Sequence, residues 1–196
     1  MNRFLILVIA SAVVPTYLKA QTSSGNMMVG GSFSFNSYSY SGASTNDGNT
    51  VSFFPGFGYF IKDNFAIGTS LALSSTRNGT GVGKSTSSDF GISPFARYYK
   101  FTSNESFAFF GEAGMSFRFG KAVPAIGAVT KSNSIAFWLS PGAAYFFNEH
   151  WALELSITGL VISSGNPDTS NDNNKFTRVY FDLSSWSPVL GLRYHF

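Results

Sequence analysis

After residue 20 the chain alternates apolar and polar positions with period two, the signature of strands with one apolar face. Phe90, Ile92, Pro94, Ala96 and Tyr98 share one face, against Asp89, Gly91, Ser93, Phe95 and Arg97 on the other. Phe107, Phe109, Gly111, Ala113, Met115, Phe117 and Phe119 oppose Ala108, Phe110, Glu112, Gly114, Ser116 and Arg118. Trp151, Leu153, Leu155, Ile157, Gly159 and Val161 oppose Ala152, Glu154, Ser156 and Thr158, and at the end Leu190, Leu192, Tyr194 and Phe196 oppose Val189, Gly191, Arg193 and His195. The pattern predicts eight strands near 26–40, 50–61, 65–76, 87–100, 106–119, 132–147, 150–163 and 177–196.

The connections alternate strictly in length. Three are short: Lys62-Asp63-Asn64, Thr102 to Glu105, and Asn148-Glu149. Four are long: Ser41 to Asn49, Arg77 to Thr86, Gly120 to Lys131, and Ser164 to Lys175. A repeat underlies this order, because each even strand carries a proline followed by small and aromatic residues and then a tyrosine. Pro55, Pro94, Pro141 and Pro188 mark it, at spacings of 39, 47 and 47 residues. Proline has no ladder donor, so a bulge or a missing hydrogen bond is expected at each. The last strand changes phase: Val179, Phe181 and Leu183 have the opposite parity to Leu190, Leu192 and Tyr194, which predicts a bulge near Ser184-Ser185.

Which way the apolar face points is a question of volume. An eight-stranded barrel has an interior just wide enough for side chains. The Phe, Tyr, Trp and Leu of the apolar face would overfill it, whereas Gly, Ala and Ser with a few charges would fit. The bulky face therefore points outward, and only lipid tolerates that. Charged residues make 12% of the chain against roughly 25% in soluble domains, which agrees with a lipid exterior.

Residues 1–20 read as a secretory leader: Arg3, an apolar run from Phe4 to Val14, and Leu18-Lys19-Ala20 before Gln21. The run is about half the roughly 20 residues a membrane helix needs. Domain organisation is therefore a signal peptide at 1–20 and one barrel at 21–196. Losing Arg3 and Lys19 takes the formal charge from +3 to +1, and no Lys/Arg cluster speaks for nucleic acid. The chain has no cysteine, hence neither disulfide framework nor thiolate metal site.

These features resemble the small outer-membrane β-barrel family that includes the OmpA transmembrane domain, OmpX and OmpW. The resemblance covers essentially residues 21–196 and implies an eight-stranded antiparallel up-and-down transmembrane barrel in the outer membrane. It implies long loops outside and both mature termini on the periplasmic side. It also implies that the final strand, ending Leu190, Leu192, Tyr194, Phe196, is read by the barrel-assembly machinery.

Candidate chemistry is sparse. Gly81-Val82-Gly83-Lys84-Ser85 resembles the end of a phosphate-binding loop, but Asn78 replaces its first glycine and a strand, not a helix, follows. Asp168, Asn171, Asp172, Asn173 and Asn174 lack the ordered spacing of a calcium loop and read as a polar loop. Five charges fall on the small-residue face: Arg97, Glu112, Arg118, Glu154 and Arg193. Buried carboxylates are costly unless paired, so Glu112 and Glu154 are expected to pair with Arg97, Arg118 or Arg193 in a lumen network. Tyr59, Tyr98, Tyr145, Trp151, Tyr194 and Phe196 gather near the short turns, as an interfacial aromatic girdle would. No Ser/His/acid set shares a depth and a face, and no cofactor site is evident. The expectation is a non-enzymatic structural or surface-interaction protein whose partner is the outer-membrane bilayer. A narrow porin-like passage for small or hydrophobic solutes is the alternative, and a lipid-modifying enzyme the third reading.

Overall fold

The structure, a computed structural model, describes residues 21–39, 47–79, 83–170, 174–181 and 189–196. The segments are β1 Met27–Tyr38, β2 Gly48–Lys62, β3 Phe65–Asn78, β4 Ser85–Phe101, β5 Phe107–Val123, β6 Thr130–Phe146, β7 Trp151–Ser156, β8 Leu160–Asn166, β9 Phe176–Phe181 and β10 Val189–His195. β7 and β8 share the seventh stave and β9 and β10 the eighth. Every pairing is antiparallel and joins neighbouring staves, and β1 pairs with β10 to close the ring. The result is an all-β, eight-stranded meander barrel. Where β1 meets β10, closure leaves no free sheet edge among the described residues.

Side-chain direction follows the expected volume logic. Phe33, Phe109 and Tyr98 are 67, 57 and 55% exposed on the outside, while Ala66, Ala108, Ala144 and Ala152 are fully buried inside. One expectation about the interior is overturned. The end of the lumen nearest the short turns is not filled by small residues but by rings, with Phe60, Tyr99 and Phe146 almost entirely buried and Phe95 and Phe110 nearly so. Glycines on facing staves make room for them. A Cβ at Gly142 would overlap the Phe110 ring and lie 2.6 Å from the Leu155 carbonyl oxygen. A Cβ at Gly68 would meet the Phe95 ring at 2.5 Å.

Proline breaks the ladder as its missing donor requires. β2 and β3 pair on either side of Pro55 but not at it, and β4 and β5 skip the step at Pro94, both without a change of register. At Pro141 the ladder bulges: β6 pairs Gly142 with Ser156 and then Leu139 with Leu160, so three residues face two. The Ser140 hydroxyl donates to the Ile157 carbonyl at 2.6 Å and the Ile157 N–H to the Pro141 carbonyl at 3.1 Å, which satisfies the bulged backbone. The extra residue inverts the phase beyond it. Val161, expected outside, therefore faces the lumen opposite Trp138, and Ile162 takes the outer face. Pro188 and the expected bulge near Ser184-Ser185 lie outside the described residues, as does the expected leader at 1–20.

The connection expected from Gly120 to Lys131 is shorter than that. β5 and β6 stay paired as far as Ala122 with Thr130. At the β2–β3 turn Asn64 has φ of 64°, a left-handed position that its short polar side chain tolerates. Residues 21–26 fold against this end of the barrel. The Thr22 hydroxyl donates to Asn64 Oδ1 at 2.6 Å, Gln21 Nε2 to the Asn148 carbonyl at 2.6 Å, and the Met27 N–H to the Phe196 carbonyl at 2.7 Å.

Candidate functional site

Parity places the five expected charges inside, but only four of them meet. Arg97 on β4 lies opposite Glu112 on β5, and its Nε donates to Glu112 Oε2 at 2.5 Å while its Nη2 pairs with the same oxygen. Its Nη1 reaches across the lumen to Glu154 Oε1 on β7 at 2.6 Å. Arg193 on β10 forms an ion pair with that oxygen at 2.9 Å, its N–H not aligned for a hydrogen bond. The Tyr99 hydroxyl accepts from Arg97 Nη1 at 2.9 Å and donates to Glu154 Oε1 at 2.9 Å. Arg97 and Glu154 are each only 4% exposed. The two acids and two arginines are thus mutually compensated, which burial demands.

Arg118 does not join them. It sits six residues toward the loop end on β5, roughly 20 Å along the strand, and donates from Nε to Ser116 Oγ at 3.3 Å. There it lines an open cup of about 470 Å³ with Ser93, Ser134, Thr158, Ser163 and Trp138.

The network is embedded in the aromatic packing, with Tyr99 at the join. Its ring lies 5.7 Å from Phe110, 6.0 Å from Phe60, 6.3 Å from Phe146 and 6.4 Å from His195. The Arg97 guanidinium carbon sits 4.2 Å from the Phe110 ring centre, a cation–π contact in a desolvated site. Charge and rings together close the turn end of the lumen.

The sequence held a signal for this that the parity reading passed over. Each even strand ends its apolar run with a tyrosine followed directly by a second ring: Tyr59-Phe60, Tyr98-Tyr99, Tyr145-Phe146 and Tyr194-His195. Alternation sends the first member out and the second in. Tyr59, Tyr98 and Tyr145 are exposed on the outer face, whereas Phe60, Tyr99, Phe146 and His195 meet in the lumen. Trp151 and Phe196 are also exposed at this end, and Tyr194 packs between them at 5.0 and 5.9 Å.

The remaining candidates are placed as follows. His150 Nδ1 lies 2.9 Å from the His195 carbonyl, and His195 Nδ1 lies 3.2 Å from the Gln21 carbonyl. The phosphate-loop-like run is flanked by Asn78 and Ser85, which pair across β3 and β4, so its described ends belong to a hairpin. Asp168 Oδ1 accepts the N–H and hydroxyl of Ser170 at 3.0 and 2.6 Å, which holds its carboxyl below the usual aspartate range. Asn171, Asp172 and Asn173 lie outside the described residues.

A closed eight-stave barrel with an apolar exterior suits a bilayer, and the family model "Outer membrane protein beta-barrel domain" matches residues 4–196. The chain belongs to this outer-membrane β-barrel family. Membership supports an outer-membrane location with the lipid bilayer as environment. Among solved structures, the outer membrane protein OprG from Pseudomonas aeruginosa shares the fold, at a TM-score of 0.52 and 17% identity over 90% of this chain and 98% of that one. The Ail attachment invasion locus protein of Yersinia pestis aligns at a TM-score of 0.45 and 16% identity, over 88% of this chain and 99% of that one. The N-terminal barrel of Pseudomonas aeruginosa OprF aligns at 0.41 and 16%, over 88% and 98%. No curated protein sequence matches this outer-membrane barrel.

Proposed function

We propose that the chain is a non-enzymatic outer-membrane barrel that acts as a sealed scaffold for its external loops. The observation that carries this reading is the buried charge network packed among rings at the turn end of the lumen. Arg97, Glu112, Glu154 and Arg193 are held among Phe60, Tyr99, Phe110 and Phe146, and the two central charges are nearly inaccessible. In this reading residues 1–20 are a leader removed after Ala20, both mature termini are periplasmic, and the strand ending at Phe196 engages the assembly machinery. The charges serve as a lumen plug, and the outer rings at the turn end form an interfacial girdle. A surface role is supported by the β5–β6 loop, whose tip is apolar and whose Ile126 is 92% exposed. An exposed apolar tip is a feature that contact surfaces use.

The test is conductance across planar bilayers. The mature protein is expected to give no unitary steps. Reproducible steps that Glu112→Gln abolishes would overturn the sealed scaffold and favour the second reading, a narrow channel. The open cup above the plug, about 470 Å³, is the feature that favours that alternative.

A further inference from the structure

The outer face near the loop end carries a charge arrangement that strand pairing alone does not explain. Lys121 on β5 stands directly opposite Lys131 on β6. Their parity is that of Phe117, Phe119 and Ile135, so both project outward. Directly opposed residues have Cβ atoms about 5 Å apart, and like charges there repel. The acids of β4 and β5, Asp89 and Glu112, have inward parity, and β6 has none. Beyond β8, in the stretch whose Thr169 N–H bonds the Lys131 carbonyl, Asp168 Oδ1 turns back to Ser170. By contrast, Arg77 and Lys84 on the same rim share a cavity with Asp47.

The depth of the pair is set by the apolar belt. Phe107 to Phe119 is twelve residue steps along β5, which at roughly 3.3 Å per step and a tilt near 40° spans about 30 Å. That is about one hydrocarbon thickness, so Lys121 and Lys131 stand at headgroup level. Directly beneath them the outer face is hollowed into a groove of about 360 Å³, whose lining includes Phe117, Phe119, Ile135, Asn133, Asn166 and a third cation, Lys175. Its walls are apolar toward the membrane centre and polar toward the lysines.

We propose that this face is a binding site for an outer-leaflet lipid that carries a phosphate monoester, with that doubly charged phosphate between Lys121 and Lys131 and an acyl chain along Phe117, Phe119 and Ile135. A phosphate relieves the repulsion by bridging two ammonium groups that the fold holds side by side. The assignment of leaflet rests on the proposed orientation, with long loops outside.

The experiment reconstitutes the mature protein in phosphatidylcholine nanodiscs doped with bisphosphorylated lipid A, with the same lipid stripped of phosphate, or with phosphatidylglycerol. Native mass spectrometry counts the lipid retained after ejection. Retention of the bisphosphorylated lipid alone is expected, with loss in the double variant K121Q/K131Q and no loss in K100Q at the opposite rim. Lys121→Glu supplies a second readout. It should raise the unfolding midpoint in pure phosphatidylcholine, where it turns repulsion into attraction, and cancel the stabilisation given by lipid A. Equal retention of the dephosphorylated lipid or of phosphatidylglycerol, or full retention by the double variant, would overturn the site. Orientation is read separately, by labelling a cysteine placed at Ile126 on intact cells, so failure of one is not failure of the other.

Discussion

At the scale of single residues the lumen network sets the sharpest demands. Glu154 Oε1 serves Arg97, Tyr99 and Arg193 at once, so Glu154→Gln leaves Arg193 without its acid inside the barrel. Breaking one partner of a buried pair costs about 3–5 kcal/mol. Urea unfolding of the variant in phosphatidylcholine vesicles should show a loss of that order. Tyr99→Phe keeps the rings and the ion pairs and removes only the bridging hydroxyl. It should cost about 1.5–3 kcal/mol, the range for hydrogen bonds to charged groups. The four charges were legible because alternation alone put them on the small-residue face. That Arg118 would stand apart was not, because a parity argument fixes the face but not how far a guanidinium must reach. Tyr99 went unread for a related reason: it follows an outward tyrosine, and an inward ring conflicts with the idea of a lumen filled by small residues until Gly68 and Gly142 are seen to vacate the space.

At the scale of elements, the bulge at 157–159 decides which residues of β8 meet lipid. A one-residue slip exchanges the two faces of a strand. Deleting Thr158 should therefore turn Val161, Ser163 and Gly165 outward and drive Ile162 into the cup. The expected outcome is loss of the compact, faster-migrating band that folded barrels show on unheated gels. Recovery of that band at the normal level would contradict the bulge. Proline in the sequence announced a ladder defect at every even strand, and Pro55 and Pro94 have it as a simple gap. Why Pro141 bulges instead was not readable, because it depends on Ser140, Ile157 and their partners meeting across staves. The ladder between β5 and β6 runs further than the sequence predicts for a similar reason. Lys121, Ala122 and Thr130 look like polar loop positions, yet they continue a ladder that the neighbouring staves template.

For the molecule as a whole, the direction of the apolar face is the central physical statement, and tryptophan reads it directly. Trp151 lies on the outer face at the turn end, whereas Trp138 faces the lumen. In single-tryptophan variants, with the others changed to Phe, brominated lipid should quench Trp151 strongly and Trp138 weakly. Equal quenching would contradict the outward assignment. Strand number, alternation of long and short connections, and this direction were all legible, since most bulky side chains fall on one parity and the lumen admits rings only where Gly68 and Gly142 make room.

The closing contact of the ring is also its most distant one along the chain. Among the described residues β1 meets β10 only from Met28 opposite His195 to Gly31 opposite Leu192, whereas its ladder with β2 runs from Met27 to Tyr38. Hairpin neighbours pair after a small loss of chain entropy, but this junction must join the two extremities of the polypeptide. The seven successive hairpin pairings are therefore expected to zip first, and the seam to be the rate-determining event. A linker that tethers the two termini should accelerate folding far more than any equal gain in stability within a hairpin.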